Sequence, residues 1–375
     1  MSINLIATTT FGLEAVVKRE CQALGFQNIK TSDGKVEFTG DESDIVKANL
    51  WLRCAGRVWV KMGTFTAVTF TELFDRTKAL PWGDWIPEDG KFTVVGKSVK
   101  STLFSVSDCQ AIVKKAVVEK LKEKYKTDYT IQVGILKDVV TLAIDTSGSG
   151  LHMRGYRASA LDAPLKESLA SAMVQLSYWR KDRILLDPFC GSGTIPIEAA
   201  MLARNIAPGL NRKFASEEWE RIGKERWKQA RKEAYQAIDY DVMPEIYGSD
   251  IDPAAIELAK ANAELAGVDD CITFEVKPSQ EIVLPGKYGV LISNPPYGER
   301  IGELKEVENM YRALGATMQT DSTWSTYIIT SMEYFESLFG RKANRKRKLF
   351  NGRIKTDYYQ YEGPRPPKKQ KAEEN

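Results

Sequence analysis

The segment that most constrains the fold of this 375-residue chain is Asp187–Thr194, DPFCGSGT, which follows the apolar run Ile184–Leu186. A short apolar run bounded by glycine and proline is typical of a buried strand. Gly191 and Gly193 permit a tight turn, and a helix is predicted from Thr194 onward. A strand that turns directly into a helix is the repeating unit of a parallel α/β sheet. The segment therefore predicts an α/β domain with the glycine turn at one edge of its sheet.

Strand and helix patterns alternate from about residue 160 onward. We predict strands over Ile184–Asp187, Glu245–Asp250, Ile272–Val276, Gly289–Ser293 and Trp324–Thr330. Such alternation predicts a doubly wound parallel sheet. Near the end, Lys348–Phe350 and Ile354–Tyr361 flank Asn351-Gly352, so an antiparallel hairpin is expected to close the sheet. Residues 205–240, rich in Trp, Lys, Arg and Glu, are expected to form a charged helical insertion.

Residues 1–150 show an α+β pattern without recognisable chemistry. Thr130–Leu136 and Val139–Ile144 flank Lys137-Asp138 as a predicted hairpin. This part of the sequence has no phosphate-binding loop and no paired acids. Asp145–Gly150 is small and polar and marks a domain boundary. We therefore expect a binding module to precede the α/β domain.

The composition excludes several classes of protein. No apolar stretch approaches the ~18 residues of a membrane span, and the N-terminus lacks the pattern of a signal peptide. Because His152 is the only histidine, a metal site with several histidines is excluded, and no metal is expected. The five cysteines lie far apart without a CxxC pair, which indicates a cytoplasmic protein without disulfides or structural zinc; they are Cys21, Cys54, Cys109, Cys190 and Cys271.

The glycine turn of residues 187–194 has the features of a cofactor-binding loop. A dinucleotide fingerprint would need a third glycine near position 196, where this chain has Pro196. The loop therefore favours S-adenosylmethionine over a dinucleotide. A carboxylate at the end of the next strand suits the two ribose hydroxyls, and Asp250 is in that place. Asp252 precedes Pro253, a pattern that predicts a helix N-cap.

A second motif, Asn294-Pro295-Pro296-Tyr297, ends the predicted strand Gly289–Ser293. Prolines fix the backbone, so the Asn294 side-chain oxygen and the Pro295 carbonyl can both accept hydrogen bonds from one planar NH2 group. Tyr297 can stack on a base extruded from a nucleic acid. No strong base is required, since the amine proton becomes acidic only after the nitrogen attacks. Together the two motifs predict methyl transfer from S-adenosylmethionine to an exocyclic amine.

The charged run Arg341–Lys348, RKANRKRK, has two interpretations. It can be a solvated linker, or a patch that contacts the phosphates of a nucleic acid. The run alone favours neither.

The motifs above, with several others, make the chain resemble the THUMP-domain methyltransferases that modify large-subunit ribosomal RNA at guanine N2. Members of that family are often labelled N6-adenine-specific DNA methylases. The resemblance covers nearly the whole chain and is carried by Thr9–Glu14, Leu151–Arg157, Pro164–Glu167, Asp187–Thr194, Ile197–Ala200, Ala207–Gly209, Gly248–Asp252, Ile272–Lys277 and Ser293–Arg300.

The resemblance implies a ferredoxin-like region over residues 1–56, an RNA-binding THUMP domain over 57–153 and a class I, Rossmann-like methyltransferase domain over 154–363. Residues 364–375, rich in proline and lysine, are expected to be a disordered tail. The implied cofactor-binding residues are Pro164, Leu165, Lys166, Asp187, Phe189, Gly191, Gly193, Asp250, Ile251 and Ser279. The implied catalytic residues are Asn294, Pro295, Pro296 and Tyr297, and the expected RNA-binding residues are Arg154, Arg341, Lys342, Arg345, Lys346 and Arg347.

One position departs from the family pattern. Relatives often have an acid after Phe-Glu-Val-Lys to meet the adenine amino group, whereas this chain has Pro278-Ser279. Ser279 or backbone groups are expected to take that place.

The predicted function is an S-adenosylmethionine-dependent enzyme that forms N2-methylguanosine in large-subunit ribosomal RNA. The tetrapeptide also suits adenine N6 in DNA or RNA, and a glutamine amide in a protein offers the same amine geometry. A non-enzymatic RNA-binding or assembly factor is a third alternative, although it would be expected to have lost the motifs that are intact here.

Overall fold

The computed structural model describes residues 2–87, 90–121, 127–157, 165–298 and 304–367. The chain divides into two compact units. The first unit comprises Met1–Met153 and Ala207–Gln236, and the second comprises Arg154–Ile206 and Ala237–Asn375. Among the residues so described, no helix has the length and apolar character needed to cross a membrane.

The first unit contains a seven-stranded sheet in the order β2-β3-β1-β4-β7-β6-β5. Its strands are β1 (Ile3–Thr8), β2 (Gln27–Ser32), β3 (Lys35–Gly40), β4 (Arg57–Thr66), β5 (Gly90–Val99), β6 (Thr127–Leu136) and β7 (Val139–Asp145). All neighbours are antiparallel except β5 and β6. The predicted hairpin is confirmed, because Lys137 and Asp138 join β6 to β7 with φ angles of 50° and 64°.

Helices pack beside this sheet: α1 (Glu14–Ala23), α2 (Glu42–Trp51), α3 (Phe70–Lys78) and α4 (Val106–Leu121). Helix α2 begins where the Asp41 carboxylate accepts hydrogen bonds from the backbone N–H groups of Ser43 and Asp44. Helix α3 begins in the same way at Thr69. These side chains satisfy backbone donors that a helix start leaves unpaired.

The helical insertion belongs to the first unit, although its sequence lies inside the predicted methyltransferase span. Its helix α7 (Lys224–Gln236) follows a loop that carries Trp219. The buried Trp219 ring lies 6.3 Å from Trp85 and 4.8 Å from Tyr129, measured between ring centroids. Arg221 pairs with Glu42 at 2.9 Å. Aromatic burial is a large stabilising contribution, so these contacts explain why the insertion stays with this unit.

The second unit contains a seven-stranded sheet in the order β10-β9-β8-β11-β12-β14-β13. Its strands are β8 (Leu185–Asp187), β9 (Ile246–Asp250), β10 (Ile272–Val276), β11 (Val290–Ser293), β12 (Ser325–Thr330), β13 (Arg345–Asn351) and β14 (Ile354–Tyr361). Strands β8 to β12 are parallel, and β14 is antiparallel to both β12 and β13. This is the predicted doubly wound sheet closed by an antiparallel pair.

The helices of the second unit are α5 (Glu167–Leu176), α6 (Thr194–Ala203), α8 (Pro253–Ala266), α9 (Leu304–Gln319) and α10 (Phe335–Phe339). A hydrophobic core joins α9 and α10 to the sheet through Tyr311, Phe335 and Tyr359, all of which are buried. Because strands β8, β9 and β11 are parallel neighbours, the loops after Asp187, Asp250 and Ser293 come to the same edge of the sheet. We call this the carboxyl edge.

The last hairpin differs from its prediction by one residue. Asn351 is the final residue of β13 and pairs with Ile354, so the turn consists of Gly352 and Arg353. Gly352 has a φ of 62°, which is what the first position of a type II′ turn requires. Asn351 is therefore a strand residue at the carboxyl edge.

Candidate active site

A cleft of about 530 Å³ opens at the carboxyl edge of the second unit. This volume lies within the range of small-molecule sites. Its lining joins the glycine turn, the ends of β9 and β11, and helix α9: Leu165, Asp187, Pro188, Phe189, Cys190, Gly191, Ser192, Thr194, Ile195, Asp250, Ile251, Ser279, Gln280, Asn294, Pro296, Glu306, Val307 and Met310.

Asp187 is a buried carboxyl group at the end of β8. Its Oδ1 atom accepts hydrogen bonds from the Ser293 hydroxyl and, at 3.2 Å, from the Phe189 backbone N–H. Burial raises the pKa of Asp187 to about 7, and the nearby Asp250 charge also raises it, while the two hydrogen bonds act in the opposite direction. Asp187 thus lines the cleft as a carboxyl group that titrates near neutrality.

Asp250 fixes the glycine turn from the end of the neighbouring strand β9. One carboxylate oxygen accepts from the Gly191 N–H at 2.9 Å, and the other accepts from the Asp252 N–H at 3.1 Å. Each carboxylate oxygen has a further lone pair that can accept a ligand hydroxyl. The prediction that Asp252 caps a helix is confirmed, because its side chain accepts from the Ala254 N–H at 2.9 Å at the start of α8.

The two glycines of the turn are required for different reasons. Both have positive φ angles, 51° at Gly191 and 79° at Gly193. At Gly193 a Cβ atom would lie 3.0 Å from the Ala259 side chain and 3.0 Å from the Phe274 ring. At Gly191 a Cβ atom would meet nothing within 4 Å, so the backbone conformation is the constraint there.

Arg157 organises the cofactor loop, a role that the sequence analysis missed. Its guanidinium donates to Glu167 at 2.6 Å and to the Leu165 carbonyl at 2.9 Å. It also donates to the hydroxyls of Ser192 and Thr194, each at 3.3 Å. Arg157 therefore ties the chain before α5 to the start of α6. In the sequence, Arg157 is one of two arginines in the junction Leu151–Arg157, and no local pattern distinguished it from Arg154.

Asn262, on α8, is a second residue of this kind. Its buried amide donates to the Ser192 carbonyl at 3.0 Å. Burying a side-chain amide is costly unless it is hydrogen-bonded. The bond from Asn262 therefore fixes the position of Ser192 in the glycine turn. The spacing of apolar residues along α8 indicates only whether Asn262 is buried or exposed. It does not indicate which loop the side chain binds, and so this role was not predicted.

Arg154 was predicted to contact RNA, but it is buried and cannot lie at an RNA-contacting surface. Its side chain is 1% exposed and pairs with the equally buried Glu198 at 3.2 Å. Tyr156 donates to the same carboxylate at 3.3 Å. A buried charge needs such a partner because desolvation is costly. The prediction of RNA contact at Arg154 is corrected to a structural role.

The remaining predicted cofactor residues are distributed unevenly. Leu165, Phe189, Ile251 and Ser279 line the cleft. Lys166 is exposed at the start of α5 and does not contribute to the lining, and Pro164 lies outside the described residues.

At the departure from the family pattern, Ser279 is joined in the lining by Gln280, which the sequence analysis did not single out. The Gln280 amide offers both a donor and an acceptor.

Within the predicted catalytic motif, Asn294 and Pro296 line the cleft. Asn294 Oδ1 accepts a hydrogen bond from the Tyr297 hydroxyl at 2.6 Å. The Pro296 carbonyl accepts from the Tyr311 hydroxyl at 2.9 Å. Pro295, two residues after the end of β11, is buried, and Tyr297 is half-buried. Neither contributes to the described lining. The motif is thus held on both sides by tyrosine hydroxyls, of which only Tyr297 was predicted to take part.

The basic run begins far from the cleft. Strand β13 has the same direction as β12, so its first residue, Arg345, lies at the edge opposite the carboxyl edge. Seven residues of strand place it about 20 Å from Asn351. Arg345 pairs with Glu362 at 3.7 Å and Lys346 with Glu336 at 3.3 Å. Arg341 lies over the Tyr361 ring, Lys342 is exposed and Arg347 is half-buried. RNA contact by this run stays a prediction.

Metal ligation finds no support in the described part of the chain, where no group of three or more His, Cys, Asp or Glu could hold an ion. All five cysteines are free and buried. Cys190 lines the cleft, but burial raises the pKa of its thiol well above the ordinary value, and the charges of Asp187 and Asp250 act in the same direction. A thiol in this state is a poor nucleophile.

The strand order of the second sheet, its antiparallel last pair and the cleft beside the glycine turn define a class I methyltransferase. The chain belongs to the family whose model is described as the RMKL-like methyltransferase domain, which matches residues 154–360. The RlmL ferredoxin-like domain matches residues 4–59 and the THUMP domain matches residues 67–145. These matches confirm the predicted family and fold class.

Relatives match the chain over almost its whole length. YpsC of Bacillus subtilis (strain 168), which is provisionally named an RNA methyltransferase, is 52% identical over 99% of this chain and 98% of its own length. A Listeria monocytogenes crystal structure, described as a predicted N6-adenine-specific DNA methylase, is 50% identical, with a TM-score of 0.93 over 97% of both chains. The structure of SMU.472, described as a candidate methyltransferase complexed with SAH, is 42% identical, with a TM-score of 0.92 over 98% of this chain and 99% of that chain.

Proposed function

We propose that this protein is an S-adenosylmethionine-dependent RNA methyltransferase that forms N2-methylguanosine in large-subunit ribosomal RNA. The observation that carries the proposal is that Asn294 and Pro296 line the same cleft as the glycine turn and Asp250. An acceptor for an amino group and a loop suited to a cofactor are thus within one site.

The cleft residues fit S-adenosylmethionine. Gly191 and Gly193 give a turn without side chains at which α6 begins, and Thr194 and Ile195 in the first turn of α6 line the cleft. Asp250 would accept from the ribose hydroxyls, and Ile251, Ser279 and Gln280 would contact the adenine. Leu165 and Asp187 would lie toward the methionine portion. When bound, the cofactor supplies an electrophilic methyl group. The related SMU.472 structure contains SAH, the product of such a transfer.

Residues of the motif would orient the acceptor amine. Asn294 Oδ1 would accept a hydrogen bond from one N–H group of the amine. The Pro295 carbonyl is the second acceptor that the motif predicts, although Pro295 does not contribute to the described lining. The two bonds would direct the nitrogen lone pair out of conjugation. Because Tyr311 already donates to the Pro296 carbonyl, that carbonyl fixes the turn instead of the substrate. Tyr297, beside the described lining, would supply an aromatic surface for the base. The methylated nitrogen would be cationic and would lose its proton to solvent water, so a histidine base is not needed.

The acceptor is proposed to be RNA because the first unit matches a THUMP domain. Names of the relatives do not agree, since one refers to RNA and another to N6-adenine in DNA. The choice of guanine N2 in large-subunit ribosomal RNA rests on the family resemblance of the motifs.

The proposal is tested by incubating the protein with methyl-labelled S-adenosylmethionine and unmodified ribosomal RNA, transfer RNA or DNA, and identifying the labelled nucleoside. We expect N2-methylguanosine in the large-subunit RNA. Label in N6-methyladenosine, or in DNA alone, would contradict the guanine assignment, and label in no nucleic acid would contradict the proposed function.

Asn294→Ala tests the proposed catalytic role of Asn294 in the same assay. Removing the acceptor that orients the amine is expected to lower kcat roughly a hundredfold or more, the size of effect known for groups that act at the reacting atom. Cofactor affinity, measured by calorimetry, should stay within about twofold of the wild-type value, because the Asn294 side chain is directed toward the acceptor. An equal loss of both would indicate a collapsed site instead of a lost catalytic contact.

A further inference from the structure

Asn351 brings the last hairpin into contact with the catalytic motif. It ends strand β13 at the carboxyl edge, and its side-chain amide donates to the Tyr297 hydroxyl at 3.3 Å. The two residues are 54 positions apart in sequence and belong to different elements. Neither sequence motif includes Asn351.

Two hydrogen bonds link Asn351 to Tyr297 and Tyr297 to Asn294, and each has only one possible donor. Asn351 Nδ2 can only donate, and Asn294 Oδ1 can only accept. The single Tyr297 proton therefore goes to Asn294 Oδ1 at 2.6 Å, while the phenolic oxygen accepts from Asn351 at 3.3 Å. The three side chains form a directed chain from the hairpin to the residue that meets the substrate.

This direction matters because the two ends of an amide have nearly the same shape but opposite hydrogen-bonding character. Rotation of the Asn294 amide by half a turn would present N–H groups to the acceptor amine, where an oxygen is required. The Tyr297 proton favours the orientation with Oδ1 toward it. Asn351 donates to the phenolic oxygen and therefore does not compete with Asn294 for that proton. One lone pair of Asn294 Oδ1 remains for the substrate.

The hairpin itself does not need an asparagine at position 351. The turn consists of Gly352 and Arg353, and Gly352 supplies the positive φ of 62°. Asn351 has no positive φ, and many residues suit a strand end. The side-chain amide is thus available for the contact with Tyr297.

We propose that Asn351 is a positioning residue of the methyl-transfer site, acting through Tyr297 to hold the Asn294 amide oxygen toward the acceptor amine. The inference rests on the proposed function, because it assigns a role within the same site. It adds the β13–β14 hairpin to the machinery that the two sequence motifs define.

The first test is kinetic and compares Asn351→Ala with Asn351→Asp. We expect each to lower kcat roughly tenfold, the effect of one lost neutral hydrogen bond, with little change in KM for RNA or in cofactor affinity. Asn351→Asp is the sharper variant, since the new carboxylate can only accept and would draw the Tyr297 proton away from Asn294. A wild-type kcat in Asn351→Asp would overturn the proposal.

The control for a merely structural role is Ile354→Ala, at the cross-strand partner of Asn351. It loosens the same end of the hairpin without touching Tyr297, and its kcat should stay near the wild-type value. A double-mutant cycle with Tyr297→Phe completes the test. In that background Asn351→Ala should have no further effect on kcat, and a fully additive loss would overturn the chain of contacts.

A readout independent of activity separates this proposal from the proposed function. In protein labelled with 15N-asparagine, the side-chain NH2 resonances of Asn294, assigned by their loss in Asn294→Ala, should shift in Asn351→Ala as they do in Tyr297→Phe. Unshifted resonances would overturn the role of Asn351, whatever the enzyme methylates. Absence of methyl transfer by the wild-type protein, with shifted resonances, would overturn only the proposed function.

Discussion

Tyr311 connects the turn at Asn294–Tyr297 to the core through one hydroxyl group. Its proton goes to the Pro296 carbonyl at 2.9 Å, since a carbonyl only accepts. The Thr330 hydroxyl, 3.0 Å away, must then donate to the Tyr311 oxygen, and Thr330 in turn accepts from the Met332 N–H at 3.2 Å. Tyr311 and Thr330 are both fully buried. These bonds anchor the double-proline turn to the buried core.

Tyr311→Phe is therefore expected to affect both stability and catalysis. It leaves the Pro296 carbonyl and the Thr330 hydroxyl without this partner, which costs about 1 to 3 kcal/mol in the free energy of unfolding. A turn released on one side should also lower kcat by roughly tenfold. Urea unfolding and steady-state kinetics measure the two effects.

Tyr361→Phe is the matched control for Tyr311→Phe. The Tyr361 hydroxyl also donates to a carbonyl, that of Arg341 at 3.1 Å, but it has no contact with the motif. This variant should lose stability with an unchanged kcat. If both variants reduce kcat equally, Tyr311 has no specific role at the turn.

Asp187 makes the stability of the second unit depend on pH. Burial raises the pKa of Asp187 in the folded protein to about 7, whereas an unfolded aspartate has a pKa of about 3.9. Between these values the folded state retains a proton that the unfolded state has lost. The free energy of unfolding therefore decreases as pH rises from about 4 to 7, and the stabilising contribution is fully present only below about pH 4.

Asp187→Asn tests this sign. The new amide oxygen can still accept from Ser293 and from the Phe189 N–H, but it carries no titratable proton. Relative to this variant, the wild-type protein should lose up to about 1.4 kcal/mol per pH unit between pH 5 and 7. Urea unfolding of both proteins at a series of pH values gives the difference, in which the other groups cancel. A flat difference, or one of opposite sign, contradicts the buried-carboxyl assignment.

At the scale of elements, the parallel core of the second sheet was predictable because its signals are local. Buried strands such as β11 are continuous apolar runs, and the glycine turn follows β8 immediately. Strand β2 was not predicted, because Gln27–Ser32 is an edge strand with almost no buried residue and therefore no alternation of apolar and polar positions. The alternation of apolar and polar residues reflects which side chains are buried, so an exposed edge strand shows no such alternation.

The same reasoning explains which site residues were found. Asp187 and Asp250 end their strands and Asn294 directly follows β11, so their position at the carboxyl edge could be inferred. Arg157, Tyr311 and Asn351 reach the site from other elements. Their roles depend on tertiary distances that no local spacing encodes, and a Tyr on an amphipathic helix has the same pattern as an ordinary core residue.

In the whole molecule, the two compact units are not two consecutive stretches of the sequence. The family model for the methyltransferase domain spans residues 154–360, yet Ala207–Gln236 within that span belongs to the first unit. The Gly209 N–H donates to the Leu50 carbonyl at 2.9 Å, and Trp219 packs against Trp85 and Tyr129. The chain thus leaves the second unit after Ile206 and returns at Ala237.

Because the insertion belongs to the first unit, a mutation in it is expected to destabilise that unit and not the second. Trp219→Ala removes a side chain that is 1% exposed, and such a loss in a core costs about 3 to 5 kcal/mol. Hydrogen exchange followed by mass spectrometry should show lost protection in strands β5 to β7. Cofactor affinity should stay within about twofold of the wild-type value, since the residues that line the cleft all belong to the second unit.

Trp324→Ala supplies the matched comparison. Trp324 is also buried, at 3% exposure, but it lies in the second unit, where its indole N–H donates to the Gly286 carbonyl at 2.8 Å. Protection should then be lost from β11 and β12 instead of β5 to β7. If Trp219→Ala removes protection from the second sheet and weakens cofactor binding as strongly as Trp324→Ala does, the insertion stabilises the methyltransferase fold, and its assignment to the first unit is wrong.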